Sequence, residues 1–116
     1  MPWQFDNNIP VYLQIMDVIK GRIINGEYKA GDKLPSVRDL AQEAQVNPNT
    51  MQKAMQELER ENLIFSQRTS GRYVTYDVRV IYEVKKKMAS EIIKEFIDKM
   101  TALGFTKEEI AQLIKE

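Results

Sequence analysis

The sequence contains no cysteine and no histidine. The first absence rules out disulfides and thiol chemistry and fits a reducing compartment. The second removes the commonest metal ligand and the commonest general base together. An enzyme made from this chain would have to work with carboxylates or lysine. No nucleophile–base constellation of that kind is present, nothing is spaced as a carboxylate metal site, and no cofactor is implied. Net charge is also missing: 17 Lys and Arg balance 17 Asp and Glu, a formal +0. A basic excess is the usual footprint of nucleic-acid binding, so binding to DNA would have to rest on locally placed cations and on dimer geometry. No apolar run approaches the ~20 residues of a membrane span. Met1 to Asp6 has neither a basic n-region nor a long h-region, so no signal peptide is expected and the cytoplasm is the default compartment. There is no internal repeat and no low-complexity tract.

A chain of 116 residues suits one DNA-binding-sized domain with an appendage. It can bury a real core but not two full domains. Trp3 and Phe5 alternate with Gln4 and Asp6, a strand-like period over Met1 to Asn8. These aromatics are expected to close the core as a lid, with packing of Trp3 on a partner subunit as the alternative. Pro10 opens a helix to about Asn25, with Val11, Ile15, Val18, Ile19 and Ile23 on one face. Asn25-Gly26 ends it. A turn at Tyr28 to Lys33 then leads to a short extended piece, Lys33-Leu34.

The stretch from Leu34 to Val74 organises the chain. Ser36 is an N-cap candidate, and Asp39 three residues on makes a variant capping box. The helix from Ser36 to Ala44 turns Val37, Leu40, Ala41 and Ala44 to one side. Asn47-Pro48 starts the next helix, with Asn as cap and Pro giving up an N–H that has no partner. That helix runs to about Asn62, and Met51, Ala54, Met55, Leu58 and Leu63 form its buried face. Asn49, Thr50, Gln52, Lys53 and Gln56 stay off the core, with amides, a hydroxyl and an ammonium suited to bases and phosphates. The free N–H groups and dipole of the helix start favour a phosphate. Glu57, Glu59 and Glu61 would repel one, so only the N-terminal half can enter a groove. Leu63 to Phe65 and Arg72 to Thr75 read as two strands around Arg68-Thr69-Ser70-Gly71, with Gly71 at the hairpin tip.

This stretch resembles the winged helix-turn-helix domain of GntR-family bacterial transcription regulators. The shared residues are Leu34-Pro35-Ser36, Arg38-Asp39-Leu40-Ala41, Val46, Thr50, Ala54, Leu58-Glu59, Leu63-Ile64, Arg68, Gly71 and Tyr73-Val74. Val46-Asn47-Pro48-Asn49-Thr50 and Pro10-Val11-Tyr12-Leu13-Gln14-Ile15 resemble the YtrA-type subfamily. The resemblance implies a small strand at Lys33-Leu34 beside the wing and a DNA contact by Arg38. It also implies a repressor, often of genes near its own. Three positions depart from the family pattern. Gln45 stands where the inter-helix turn usually has Gly, so it is expected to be strained. Pro48 and Gln52 stand where Arg is frequent, which points to adenine-directed or shape-dependent readout. Thr69 replaces a common Gly at the wing tip.

After Tyr76-Asp77 comes a helix of about Val80 to Leu103. Its apolar ladder is Ile81, Val84, Met88, Ile92, Phe96, Met100 and Leu103, widened by Ala89, Ile93 and Ile97. Gly104 ends it, and Thr106 with Glu109 makes a capping box for a last helix carrying Ile110, Leu113 and Ile114. A small winged domain cannot bury so long a stripe, so the tail is expected to pack on its twin. Lys85-Lys86-Lys87 is a basic run, read as a solvated helix face or an aid to DNA steering.

The expected fold is mainly α with a small β-hairpin wing: a winged helix-turn-helix over residues 1–75 and a helical dimerisation tail over 76–116. The residues assigned to DNA are Ser36, Arg38, Asn47, Asn49, Thr50, Gln52, Lys53, Arg68, Ser70, Gly71 and Arg72. Those assigned to dimerisation are Ile81, Val84, Met88, Ile92, Phe96 and Met100. The expected partners are double-stranded DNA and a second copy of the chain, with no membrane and with a small-molecule effector left open, since the tail is too short for a separate ligand-binding domain. Two rivals stand beside this reading. One is a winged-helix protein-interaction module without specific DNA binding, which zero net charge suits. The other is a small enzyme, for which the residues offer least.

Overall fold

The computed structural model describes residues 3–116. The elements follow in the order α1 (Val11–Ile24), α2 (Val37–Ala44), α3 (Pro48–Arg60), β1 (Ile64–Gln67), β2 (Gly71–Val74), α4 (Val78–Ala102) and α5 (Lys107–Lys115). The chain divides into two compact units, one running to Tyr82 and the other Glu83–Glu116. None of the described helices is long and apolar enough to cross a membrane.

The core of the first unit forms where three helices and the hairpin turn their apolar faces together. Ile15, Met16, Ile19 and Ile23 of α1 meet Leu40, Ala41 and Ala44 of α2 and Met51, Ala54, Met55 and Leu58 of α3, with Leu34, Leu63, Ile64 and Val74 closing the end; all are buried. The face expected of α1 also gains Met16, whereas Val11 and Val18 stay half-exposed at its margin.

Capping settles where α2 and α3 begin. Ser36 Oγ accepts from the Asp39 N–H at 3.1 Å, which is half of a capping box. The Asp39 side chain is one methylene shorter than the Glu of a full box. Asn47 Oδ1 accepts from the Asn49 N–H at 2.7 Å, with Pro48 in the first turn. Both helices end in paired reverse bonds. Val46 N–H reaches the Ala41 carbonyl and Gln45 N–H that of Gln42; Leu63 N–H reaches Leu58 and Asn62 N–H reaches Glu59. This Schellman arrangement needs a left-handed residue just past the helix. Gln45 (φ 57) and Asn62 (φ 63) supply it. The helix expected to run to Asn62 therefore stops at Arg60, and Leu63 enters the core from outside it.

The wing is a two-stranded antiparallel hairpin with Ile64 opposite Val74, Phe65 opposite Tyr73, Ser66 opposite Arg72 and Gln67 opposite Gly71. Lys33 makes a single bridge to Tyr73, and the Leu34 N–H donates to the Arg72 carbonyl at 2.8 Å. The small strand implied beside the wing is thus one bridge long.

The strand-like reading of the N-terminus does not hold. Met1 and Pro2 lie outside the described residues, and Trp3 to Asp6 form no strand. Alternation cannot create a sheet edge to pair with. Trp3 Nε1 instead donates to Glu43 at 2.8 Å, and the Arg22 guanidinium lies 5.0 Å from the Trp3 ring centroid. Trp3 is thus held against α1 and α2, and Phe5, also half-buried, lies beside it with ring centroids 6.3 Å apart.

In the second unit, Gly104 (φ 98) closes α4, with Phe105 N–H bonded to Met100 and Gly104 N–H to Thr101. Thr106 and Glu109 form a complete capping box at the start of α5. Ile110 is buried, whereas no residue of α4 is.

Candidate nucleic-acid interface

The residues on α3 sort by helical position. Met51, Ala54, Met55 and Leu58 point inward, which leaves Asn49, Lys53 and Gln56 exposed on the opposite side and Thr50 and Gln52 half-buried on the two flanks. Asn49, Gln52, Lys53 and Gln56 are spaced by three and four and make one polar edge. Lys53 Nζ sits 4.1 Å from the centroid of the Tyr12 ring on α1. That cation–π contact steadies an otherwise mobile ammonium.

The amides at the helix start are already engaged. Pro48 has no N–H, that of Asn49 goes to Asn47 Oδ1, and those of Thr50 and Met51 go to the Asn47 carbonyl. What this terminus offers an anion is therefore its dipole rather than unpartnered N–H groups.

The acids at the end of α3 and at its C-cap are each tied to a cation. Glu57 pairs with Arg60 at 2.8 Å, Glu61 with Lys20 at 3.0 Å, and Glu59 with Arg72. Glu59 also accepts from Ser66 Oγ at 2.7 Å. Burial alone would push the Glu59 carboxyl up; the bonds from Arg72 and Ser66 outweigh it and hold the group below its ordinary value.

At the wing, Arg68, Thr69 and Ser70 form the exposed loop. Gly71 has φ 113, a conformation that side chains rarely adopt. The Tyr73 hydroxyl donates to Ser70 Oγ at 3.0 Å. A cleft of about 280 Å³ lies between the wing and the start of α2, lined by Lys33, Leu34, Pro35, Ser36, Val37, Ser70, Gly71 and Arg72. It brings together Ser36 with Ser70, Gly71 and Arg72, which the sequence holds more than thirty positions apart.

The two wing arginines differ. Arg68 is exposed. The Arg72 side chain is only 17% exposed and folds back onto α3, where it donates to Glu59 and, through Nη1, to Gln52 Oε1 at 3.1 Å. Arg38 is exposed on α2. Glu43, an acid of the same helix, is taken by Arg22 and Trp3. Sequence reasoning missed the parts played by Tyr12 and Glu59. Helical periodicity marks Tyr12 and Glu59 as surface positions but carries no sign of partners on other elements.

In the second unit, Lys85, Lys86 and Lys87 are all exposed. Ile92 and Phe96 are 65% and 41% exposed. Val84, Met88 and Met100 are half-exposed, as is Ile81 in the first unit. Between α4 and α5 is an apolar cleft of about 310 Å³ lined by Ile93, Phe96, Ile97, Lys107, Ile110, Ala111 and Ile114.

Comparison with known proteins places this geometry. The family model described as "Bacterial regulatory proteins, gntR family" matches residues 11–74. The chain is 39% identical over 111 residues to the HTH-type transcriptional repressor YtrA of Bacillus subtilis, covering 95% of this chain and 85% of that one. A solved GntR family transcriptional regulator from Listeria monocytogenes superposes with a TM-score of 0.88 at 42% identity, covering 96% of this chain and 97% of that one. A structure of AraR(DBD) in complex with operator ORR3 is similar over 65% of this chain and 90% of that one, with a TM-score of 0.57 at 27% identity. The chain belongs to the gntR family of bacterial regulatory proteins: it is a transcriptional regulator with a winged helix-turn-helix DNA-binding domain followed by a helical tail.

Proposed function

We propose that the protein is a cytoplasmic repressor that binds a palindromic operator as a homodimer. Residues 1–75 hold the DNA, and residues 76–116 join the two copies. The observation that carries this reading is the polarity of α3. Up to Gln56 it presents Asn49, Lys53 and Gln56 to solvent, while beyond that point Glu57, Glu59 and the capping Glu61 are each held by a cation of the fold. Helix-turn-helix proteins meet base edges with the N-terminal residues of the second helix. Asn49 and Gln52 then read bases from the major groove, while Asn47, Thr50 and Lys53 position the helix on the backbone. Ser36, Arg38, Arg68, Ser70, Gly71 and Arg72 flank that groove at α2 and the wing. Similarity to a repressor and to a domain bound to its operator supports the same reading.

The tail is the dimerisation element. Ile81, Val84, Met88, Ile92, Phe96 and Met100 leave a long apolar row uncovered in the single chain. Two-fold pairing through that row would set half-sites about one helical turn, roughly 34–36 Å, apart or at a multiple of it. Selection of bound sites from random duplex DNA tests the proposal. The wild type should enrich one palindrome. Asn49→Ala should relax it at defined positions, and Lys53→Ala should weaken binding across all sequences and reduce the salt slope by about 1. Enrichment of no sequence at low salt would sink the operator reading.

A further inference from the structure

The geometry points to Arg72 as a positioning residue that sets what Gln52 can read. This rests on the proposed docking of α3 in a groove and deepens it. Gln52 and Glu59 lie seven residues apart on the flank of α3 that faces the wing, and Arg72 joins them. Its Nε donates to Glu59 and its Nη1 to Gln52 Oε1 at 3.1 Å. Glu59 is anchored a second time by Ser66 Oγ at 2.7 Å, and Ser66 is the residue opposite Arg72 across the hairpin. The guanidinium is therefore held by two side chains of the helix, one of them fixed in turn by the other strand of the wing, with 17% of its side chain exposed.

A guanidinium has only donors, so the atom that Gln52 turns toward it must be the carboxamide oxygen. That contact removes the freedom of the amide to flip. The two N–H groups of Nε2 become the end of Gln52 left for a ligand, half-buried beside the exposed Asn49 and Gln56. A free glutamine pairs with adenine through both its oxygen and its nitrogen. A glutamine whose oxygen is turned to Arg72, with one of its two lone pairs engaged there, leads instead with its pair of donors. It fits the acceptor edges of guanine (N7 and O6) or thymine (O4) and is mismatched to the exocyclic amines of adenine and cytosine. Gln52 thus reads donor-first, and the wing takes part in base choice without touching that base.

The test is site selection from random duplex DNA with the wild-type full chain, Gln52→Met and Arg72→Lys. Loss of preference in Gln52→Met identifies the base pair that Gln52 reads. In the wild type that pair should carry guanine or thymine on the contacted strand. A lysine keeps the charge beside Glu59, but one ammonium cannot span to Gln52 as the planar fork does. Arg72→Lys should therefore lower the preference at that pair alone, by about five-fold or more, and admit adenine there. The Asn49-dependent positions should stay unchanged. A merely structural or phosphate-binding Arg72 would instead weaken every sequence alike. Should Arg72→Lys melt early, Gln52→Glu asks the same question: its carboxylate still bonds Arg72 but has no donor, so the preference should move to cytosine. Adenine at the wild-type pair, uniform weakening in Arg72→Lys, or an unchanged preference in both variants would overturn the inference while leaving the operator reading intact. No enrichment by the wild type would end both.

Discussion

Gln45 is an exposed residue held at φ 57, ψ 49 between the two helices of the DNA-binding motif. Replacing it with glycine should stabilise the protein. A left-handed backbone costs a residue with a Cβ roughly 1–2 kcal/mol. Glycine escapes that cost but gives up about 0.5–1 kcal/mol in the entropy of the unfolded chain. The net gain is then about 0.5–1 kcal/mol, since the bonds that close the turn, Val46 N–H to Ala41 and Gln45 N–H to Gln42, belong to the backbone and survive the change. For a chain of this size that is a rise of about 2–4 °C in Tm. Asn62 provides an internal control at φ 63 in the same kind of helix end. Asparagine visits this region readily, so Asn62→Gly should gain only a few tenths of a kcal/mol. Both variants can be followed by circular dichroism in thermal and urea unfolding at one fixed protein concentration, because self-association would shift the midpoints. A drop in stability for Gln45→Gly, or a larger gain for Asn62→Gly, would refute the reasoning.

Stability should also depend on pH through Glu43. The hydrogen bond from Arg22 holds its carboxyl below the usual carboxylate value against the opposing effect of burial, and the Trp3 indole adds to it. A carboxyl depressed in the folded state stabilises fully above its unfolded pKa, about 4.3, and loses that contribution as pH falls through the folded value. The side chain is 42% exposed, which limits the effect to about 1 kcal/mol. The Tm gap between wild type and Glu43→Gln should be open at pH 7 and narrow as the pH falls below the unfolded carboxylate value of about 4.3; a gap that stays constant on acidification would assign it to packing. Ile92→Asp probes the tail, where the 65% exposure of Ile92 makes the change cheap for the single chain. Two copies losing about 1.5–3 kcal/mol each should weaken the dimer by about 10²–10⁴-fold in sedimentation equilibrium. An unchanged dimer would move the interface elsewhere.

The elements that local chemistry controls were legible in the chain. Asn47-Pro48 starts α3 because cap and proline act within one turn, and Thr106 with Glu109 starts α5 for the same reason. The inward face of α3 follows from period alone. Where the sequence misled, the deciding partner lay far along the chain. Trp3 is governed by Glu43 forty positions away, so alternation around it carried no sheet. Arg72 looked like a cation at the wing tip, yet Glu59 and Gln52 draw it back onto α3. Asn62 ended α3 earlier than its apolar spacing implied, because Leu63 continues the buried face after the helix has stopped.

The acids that close the C-terminal half of α3 to phosphate also limit how much this helix can know. From Asn49 to Gln56 the polar edge spans about 12 Å, room for roughly four base pairs at about 3.4 Å each. A word of about four letters recurs by chance about once in 256 positions, against the roughly 10⁶ or more competing sites of a genome. Two such words at fixed spacing recur about once in 65,000 positions, still short of a unique address. On the proposed dimeric binding, the missing few bits would be written in the spacer and flanks, as the stiffness and groove width that the wings and the span between two copies impose on the DNA.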